Sequence, residues 1–137
     1  MGAELFIDTS AWFALADRRI AGHAKVERAL RERLQQGARI VTTNLIVAET
    51  HVLLLRRASH SAALAFLTTV AVAPTVVVSS TPALEEAARV DWLARYQDQS
   101  FSFTDAVSFA VMKDRRIREA LTLDHHFSVA GFGVVPG

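Results

Sequence analysis

Short apolar runs rich in β-branched residues alternate along this chain with longer segments of helical periodicity. The runs predict strands at residues 5–7, 39–43, 75–78, 120–123 and 131–135. The longer segments predict helices, a short one from residue 11 and others at 23–36, 44–57, 62–72, 82–96 and 103–114. Strands joined through helices pair in parallel, because each helix carries the chain back across the sheet. The pattern predicts an α/β fold, a three-layer α/β/α sandwich around a mostly parallel five-stranded sheet.

Polar residues next to the helical segments predict where the helices begin and end. Thr9 and Ser10 are candidate N-caps for the first helix, and Asn44 and Ser102 are candidate N-caps for two later ones. Gly37 is suited to ending the second helix, because glycine adopts the left-handed conformation that commonly follows a helix.

The composition is that of one compact domain. The chain has 137 residues, of which 51% are hydrophobic and 21% charged, so we expect a single domain over residues 1–137. Cysteine is absent, which excludes disulfides and thiolate metal sites. The opening run contains Glu4 and Asp8 and resembles a first strand more than a signal peptide. No run is long enough to span a membrane, and we expect a cytoplasmic protein.

The net charge of +1 gives no global attraction to nucleic acid. The basic residues nevertheless form clusters at Arg18 and Arg19, at Arg56 and Arg57, and over residues 113–118. Guanidinium groups match the geometry of phosphate, so each cluster is a candidate for phosphate contact. A solvated helix face is the ordinary alternative for each of them.

Four acids stand where such a fold would bring them together. Asp8 and Asp124 each end a predicted strand, Asp105 lies in the first turn of its helix, and Glu49 lies in the second turn of a helix that follows a strand. The carboxyl ends of parallel strands share one edge of the sheet. Four carboxylates at that edge would repel each other unless a cation neutralised them, and oxygen ligands of this kind suit Mg²⁺ or Mn²⁺. Metal-assisted phosphodiester hydrolysis is the reaction that this arrangement favours.

Each acid also has a purely structural explanation. Asp8 and Asp124 could cap the helices that follow them. Asp105 stands three residues after Ser102, which is the spacing of a capping box. Glu49 is the hardest to explain structurally, because its neighbours at helical spacing are apolar and an unpaired buried charge would be unfavourable.

Across essentially its whole length the chain resembles the PIN-domain ribonucleases, and among them the VapC toxins of bacterial type II toxin-antitoxin systems. Four segments carry the resemblance: Phe6-Ile7-Asp8-Thr9-Ser10, Thr43-Asn44-Leu45-Ile46-Val47-Ala48-Glu49, Ser102-Phe103-Thr104-Asp105-Ala106, and Leu121-Thr122-Leu123-Asp124 with the later Phe127 and Gly131-Phe132. None of the four is diagnostic alone, but their order and spacing together are specific.

The resemblance implies an α/β/α fold, Mg²⁺- or Mn²⁺-dependent endoribonuclease activity on single-stranded RNA, a homodimer and a cognate antitoxin. It implies that Asp8, Glu49, Asp105 and Asp124 are catalytic and bind the metal directly or through water. It further implies that Ser10 and Thr104 orient ligands or water.

Three other polar residues near the acids stay outside the predicted site. Asp98 lies in a polar turn, and solvation explains it. His125 and His126 follow Asp124 and could contact phosphate, but we interpret them as exposed turn histidines.

Two other functions are compatible with parts of the pattern. A phosphatase with a nucleophilic Asp8 would resemble the haloacid dehalogenases, but Ser10 stands where their second aspartate is required. A PIN-like module that binds a protein partner with little or no cleavage is the alternative from another class. The sequence does not identify the RNA target, the antitoxin or the number of metal ions.

Overall fold

The computed structural model describes residues 3–137. Its elements, in chain order, are β1 (Glu4–Ile7), α1 (Thr9–Ala16), α2 (His23–Gln35), β2 (Arg39–Thr43), α3 (Asn44–Arg57), α4 (His60–Val70), β3 (Thr75–Val78), α5 (Pro82–Ala87), a π-helical segment (Ala88–Leu93), α6 (Phe103–Arg115), β4 (Glu119–Leu121), α7 (His126–Val129) and β5 (Gly133–Val135). Among these residues, none of the helices has both the length and the apolar character needed to cross a bilayer.

The five strands form one sheet in the order β3-β2-β1-β4-β5, and every observed strand pair is parallel. β1 lies in the middle, with Phe6 opposite Val41 of β2 on one side and Ala120 of β4 on the other. The chain therefore builds outward from β1 in one direction and then returns to its other side. The junction between β1 and β4 is the switch point at which open sheets of this kind bind ligands.

The helices pack in two groups. α1 contacts α2 and α3, and α3 contacts α4; separately, α5, the π-helical segment, α6 and α7 pack against one another. With the sheet between them they form the predicted α/β/α sandwich, and the predicted fold class is confirmed. β1 is the most deeply buried strand, since Leu5, Phe6 and Ile7 are at most 1% exposed.

A cluster of aromatic side chains fills the second helical layer. The ring of Phe109, fully buried on α6, lies 5.0 Å from Phe101 and from Phe127, 5.2 Å from Trp92 and 5.8 Å from Phe132. These contacts tie α6 to the π-helical segment and to the chain that follows β4. The cluster thus fixes the positions of two segments that carry acids.

Two predicted N-caps were wrong by one or two positions. Asp8, and not Thr9 or Ser10, caps α1 by accepting a hydrogen bond from the backbone of Ala11. Thr43, and not Asn44, caps α3. The Asn44 side chain accepts instead from the backbone N–H of Ser80, so it connects α3 to the loop after β3. The predicted Ser102 cap and the left-handed Gly37 after α2 are both present.

Several element bounds also differ from the prediction. α4 begins at His60, two residues early, because Ser59 caps it. The predicted helix over residues 82–96 is α5 followed by the π-helical segment. β3 has the predicted bounds and is an edge strand that is only partly buried, with Val77 38% exposed. β4 ends at Leu121, and the short α7 was not predicted.

Candidate active site

All four predicted acids line one cleft of about 370 Å³ at the carboxyl edge of the sheet. Asp8 directly follows β1, Asp124 lies three residues after the end of the neighbouring β4, Glu49 is in the second turn of α3, and Asp105 is in the first turn of α6. Four separate elements therefore contribute one carboxylate each to a common space.

Asp8 is held in a single orientation at the base of the cleft. Its side chain is buried, and Oδ1 accepts hydrogen bonds from Ser10 Oγ at 2.8 Å and from the Ala11 backbone N–H at 3.2 Å. Oδ2 accepts from Thr122 Oγ1 at 2.9 Å. Donors on both oxygens prevent the carboxylate from rotating, so its position is set before any ligand arrives.

The electrostatics of Asp8 are unfavourable for a free carboxylate. Burial, with a smaller contribution from the nearby Asp124, raises the pKa of Asp8 to about 7, although hydrogen bonds from Ser10, Thr122 and the Ala11 backbone oppose the shift. Among residues 3–137, no Lys or Arg lines the cleft. The ionised form of Asp8 therefore lacks a positive partner from the described chain.

Two hydroxyl groups link β1 to the segment after β4. Ser10 Oγ donates to Asp8 and accepts from the backbone N–H of Leu123 at 2.9 Å. Thr122 Oγ1 donates to Asp8 and accepts from the backbone N–H of Asp124 at 2.9 Å. Sequence reasoning selected Ser10 but missed Thr122, although a threonine two residues before a candidate acid is a recognisable signal.

Asp105 and Asp124 approach each other through a shared neighbour. Asp105 forms the reciprocal capping box with Ser102, and its Oδ2 accepts from the Ser102 backbone at 3.1 Å. His126 Nδ1 lies 3.2 Å from the same oxygen of Asp105 and 3.5 Å from Asp124 Oδ2. Asp124 also accepts from the backbone N–H of His126 at 3.0 Å.

Glu49 occupies a more open part of the cleft. Its side chain is exposed, and Oε1 accepts a hydrogen bond from Thr9 Oγ1 at 2.5 Å. The premise that Glu49 would be a buried charge was therefore wrong: α3 turns this position toward solvent and the cleft, while Ile46 and Thr50 face the core. Thr104 also lines the cleft, and its hydroxyl makes no hydrogen bond within residues 3–137.

The two histidines after Asp124 differ in environment. The side chain of His125 is 77% exposed, as predicted for a turn residue. That of His126 is only 15% exposed, so its assignment as an exposed histidine was wrong. Its ring packs against Phe101, which lies 25 positions earlier in the chain, so no short-range signal marks its burial. Asp98 is exposed, in keeping with a solvated turn residue.

The donor set suits a hard divalent cation. Atoms of Asp124, His125 and His126 lie within 4.8 Å of one another, closer than any three of the four acids among residues 3–137, but two imidazoles and one carboxylate do not match the oxygen ligands that a hard cation prefers. The four carboxylates instead surround the cleft. Mg²⁺ usually keeps several of its water ligands and binds few carboxylates directly, so this wider spacing fits a hydrated ion.

Comparisons with known proteins identify the family. The family model described as PIN domain matches residues 5–133. The chain is 38% identical over 128 residues to the 23S rRNA-specific endonuclease VapC20 of two Mycobacterium tuberculosis strains, which covers 93% of this chain and 95% of the relative. A crystal structure of Mycobacterium tuberculosis VapC20, described as a sarcin-ricin loop cleaving toxin, matches with a TM-score of 0.85 at 37% identity, over 93% of this chain and 95% of that one.

These findings confirm the predicted resemblance and favour a nuclease over a binding module that lacks activity. The chain belongs to the PIN-domain family of metal-dependent nucleases, and within that family to the VapC-like toxins.

Proposed function

We propose that this protein is an endoribonuclease toxin that hydrolyses single-stranded RNA with Mg²⁺ or Mn²⁺, and that Asp8, Glu49, Asp105 and Asp124 are its catalytic metal ligands. The observation that carries the proposal is the convergence of these four acids on one cleft in which, over residues 3–137, no basic side chain is present. Such a cleft attracts a divalent cation strongly.

The properties of the individual carboxylates support their proposed role as metal ligands. Asp8 is buried with a raised pKa, which a divalent cation would reverse by stabilising the ionised form. Asp105 Oδ1 and Glu49 Oε2 make no hydrogen bonds within the described chain and remain available as ligands. Oxygen donors favour Mg²⁺ or Mn²⁺ over metals that prefer sulfur or nitrogen.

A bound divalent ion would supply charge neutralisation at the phosphate and a lowered pKa for its water. The chain's own residues supply orientation. Ser10 and Thr122 hold both oxygens of Asp8, Ser102 and His126 hold Asp105, and the Thr9 hydroxyl holds Glu49. Thr104 differs from Ser10 because its hydroxyl is free to bind a water molecule or an RNA oxygen.

The relatives suggest where to look for the substrate. The matched proteins are described as a 23S rRNA-specific endonuclease and as a sarcin-ricin loop cleaving toxin. We therefore propose ribosomal RNA, with an exposed loop as the cleavage site, as the first substrate to test. A cognate antitoxin, a homodimer and a cytoplasmic location complete the proposal.

The decisive experiment measures cleavage of a labelled sarcin-ricin hairpin and of a scrambled hairpin with Mg²⁺, with Mn²⁺ and with EDTA. We expect the wild type to cut the first hairpin only when metal is present. Asp8→Asn and Asp105→Asn should each lower the rate at least 100-fold, since loss of a group that positions charge in the transition state commonly costs about two to three orders of magnitude. Asp98→Asn is the matched control and should retain full activity.

If the wild type cleaves none of several mixed RNAs with Mg²⁺ or with Mn²⁺, the proposed nuclease activity is overturned and a protein-binding module is favoured. Cleavage that persists in EDTA would overturn the proposed dependence on a metal ion. Cleavage of both hairpins alike would leave a nuclease but remove the proposed loop preference.

A further inference from the structure

His126 contacts two of the proposed metal ligands from one ring nitrogen. It is the first residue of α7, and its Nδ1 lies 3.2 Å from Asp105 Oδ2 and 3.5 Å from Asp124 Oδ2. The two acids come from different elements, since Asp105 is on α6 and Asp124 is in the loop after β4. Among residues 3–137, no other side chain makes a hydrogen bond or ion pair to both acids.

We propose that His126 is a positioning residue that sets the relative orientation of Asp105 and Asp124 and so raises the metal affinity of the cleft. The inference rests on the proposed function. Carboxylate oxygens can only accept hydrogen bonds when ionised, so the nitrogen between them must carry the proton. Nδ1–H therefore donates to Asp105 and lies close enough to attract Asp124.

The rest of the ring is held by its surroundings. Its side chain is 15% exposed, and the edge of the ring meets Phe101 at a centroid distance of 5.3 Å and an interplanar angle of 82°. Nε2 lies 3.4 Å from Ser100 Oγ on the opposite side. With Nε2 next to Ser100 and the ring packed against Phe101, Nδ1 remains directed at the acids.

This arrangement has a definite effect on the two carboxylates. Asp105 Oδ2 receives donors from both Ser102 and His126, which leaves Oδ1 as the oxygen available to a cation. Loss of the His126 donor would leave two neighbouring negative charges with only backbone donors between them. Groups that orient metal ligands in this way typically contribute about 10- to 100-fold in metal affinity.

The test is titration of the metal-free full-length protein with Mn²⁺ by calorimetry, without RNA. His126→Leu removes the donor at similar volume, and we expect its Mn²⁺ affinity to fall about 10- to 100-fold. His126→Asn places an amide N–H near the Nδ1 position, so it should restore binding to within a few-fold of the wild type. His126→Gln places its amide near Nε2 and should remain weak.

His125→Ala is the matched control. His125 is 77% exposed with its Nδ1 at 3.7 Å from Asp124, and its removal should leave Mn²⁺ affinity unchanged. An equal loss in His125→Ala and His126→Leu would overturn positioning in favour of direct ligation by both histidines. If His126→Leu does not fold, the His126→Asn and His126→Gln variants still test the proposal. Equal Mn²⁺ affinity in these two variants would also overturn it.

The two proposals can fail separately. If the wild type binds Mn²⁺ and cuts RNA but His126→Leu binds Mn²⁺ as tightly, only the role of His126 is lost. If the wild type neither binds Mn²⁺ nor cuts RNA, both proposals are overturned.

Discussion

Asp8 and Asp105 each cap a helix with the same carboxylate that faces the cleft. Asp8 accepts from the backbone of Ala11 at the start of α1, and Asp105 forms a capping box with Ser102 at the start of α6. Capping and ligand binding were treated as competing explanations of these acids in the sequence. The geometry makes them compatible, because one set of lone pairs serves the helix and leaves another for the cleft.

The buried charge of Asp8 predicts a specific pH dependence of stability. Its folded-state pKa of about 7 lies above the ordinary 3.8, so the metal-free folded protein binds this proton more tightly than the unfolded chain. The resulting stabilisation is fully present below about pH 4 and is lost as the pH rises toward about 7. We therefore expect metal-free Asp8→Asn to have a higher Tm than the wild type at about pH 8, and the difference to shrink at about pH 5.

Calorimetry of the two metal-free proteins checks this prediction, and saturating Mn²⁺ should raise the Tm of the wild type but not that of Asp8→Asn. A difference in Tm that is the same at both pH values would contradict the assigned burial of the charge. Asp98→Asn, an exposed site, should follow the wild type throughout.

Thr122→Val tests the hydroxyl that joins the two central strands. The substitution preserves shape but removes the donor to Asp8 and the acceptor for the Asp124 backbone N–H. We expect Mn²⁺ affinity to fall about 10-fold or more, as for other groups that orient metal ligands. Thr68→Val is the control, since that hydroxyl bonds only to its own helix. Unchanged Mn²⁺ affinity in Thr122→Val would show that Ser10 and the Ala11 backbone are sufficient to orient Asp8.

At the scale of elements, one face of α3 carries both residues of the cleft and a pair of arginines. Glu49 and Leu53 both line it, and Arg56 and Arg57 follow seven and eight residues after Glu49, on the same face of an α-helix. Both arginines are exposed. The two arginines therefore lie on the same face of α3 as Glu49, about 10 Å further along the helix axis, given the rise of 1.5 Å per residue.

This geometry predicts that Arg56 and Arg57 bind RNA phosphates away from the scissile bond. In an Asp8→Asn background that prevents cleavage, Arg56→Gln with Arg57→Gln should weaken RNA binding and lower the slope of log affinity against log salt by about 1 to 2. Fluorescence anisotropy at several salt concentrations gives both quantities. Arg39→Gln, at the amino end of β2 on the opposite edge of the sheet, should change neither. An unaltered salt slope in the double variant would remove these arginines from the RNA path.

The sequence predicted the parts of the fold that depend on local pattern. The β2 bounds are correct because its β-branched run is flanked by a glycine and a polar helix start, and the Ser102 cap has a recognisable spacing to Asp105. The π-helical segment has no such signature, and its buried Trp92 packs against Phe109, which is distant in the sequence. α7 spans four residues, too few to show helical periodicity.

The same distinction applies to the site. Acids at strand ends could be placed on one edge from topology alone, but His126 packs against the distant Phe101, and the bond from Thr122 to Asp8 joins residues 114 positions apart. Neither contact is encoded in neighbouring residues. Glu49 was assigned to the cleft for the wrong physical reason, because the face of α3 that it occupies is open.

At the scale of the whole molecule, the aromatic cluster around Phe109 supports both stability and the site. Phe109 is fully buried and contacts Phe101, which in turn contacts His126. Phe109→Ala should lower the free energy of unfolding by about 3–5 kcal/mol, the range for large-to-small substitutions of buried aromatic residues. Urea denaturation measures this free energy of unfolding. Phe103→Ala, at a position 45% exposed, should lower it by less than about 1 kcal/mol, and similar losses in both would contradict the assigned core.

Because β1 lies in the middle of the sheet, the active site depends on its pairing with β4, a strand far away in the sequence. Asp8 and Thr122 are 114 positions apart, yet they are joined by a hydrogen bond across directly paired strands. Contacts between residues so far apart in sequence form slowly, because closing the long intervening loop costs conformational entropy before the contact contributes any stabilisation. Without β4 paired to β1, Thr122 and Asp124 would not lie beside Asp8, and the cleft would lack part of its set of acids. We therefore expect cleavage to recover on refolding only after β4 has paired with β1, and the rate of its recovery would time that pairing.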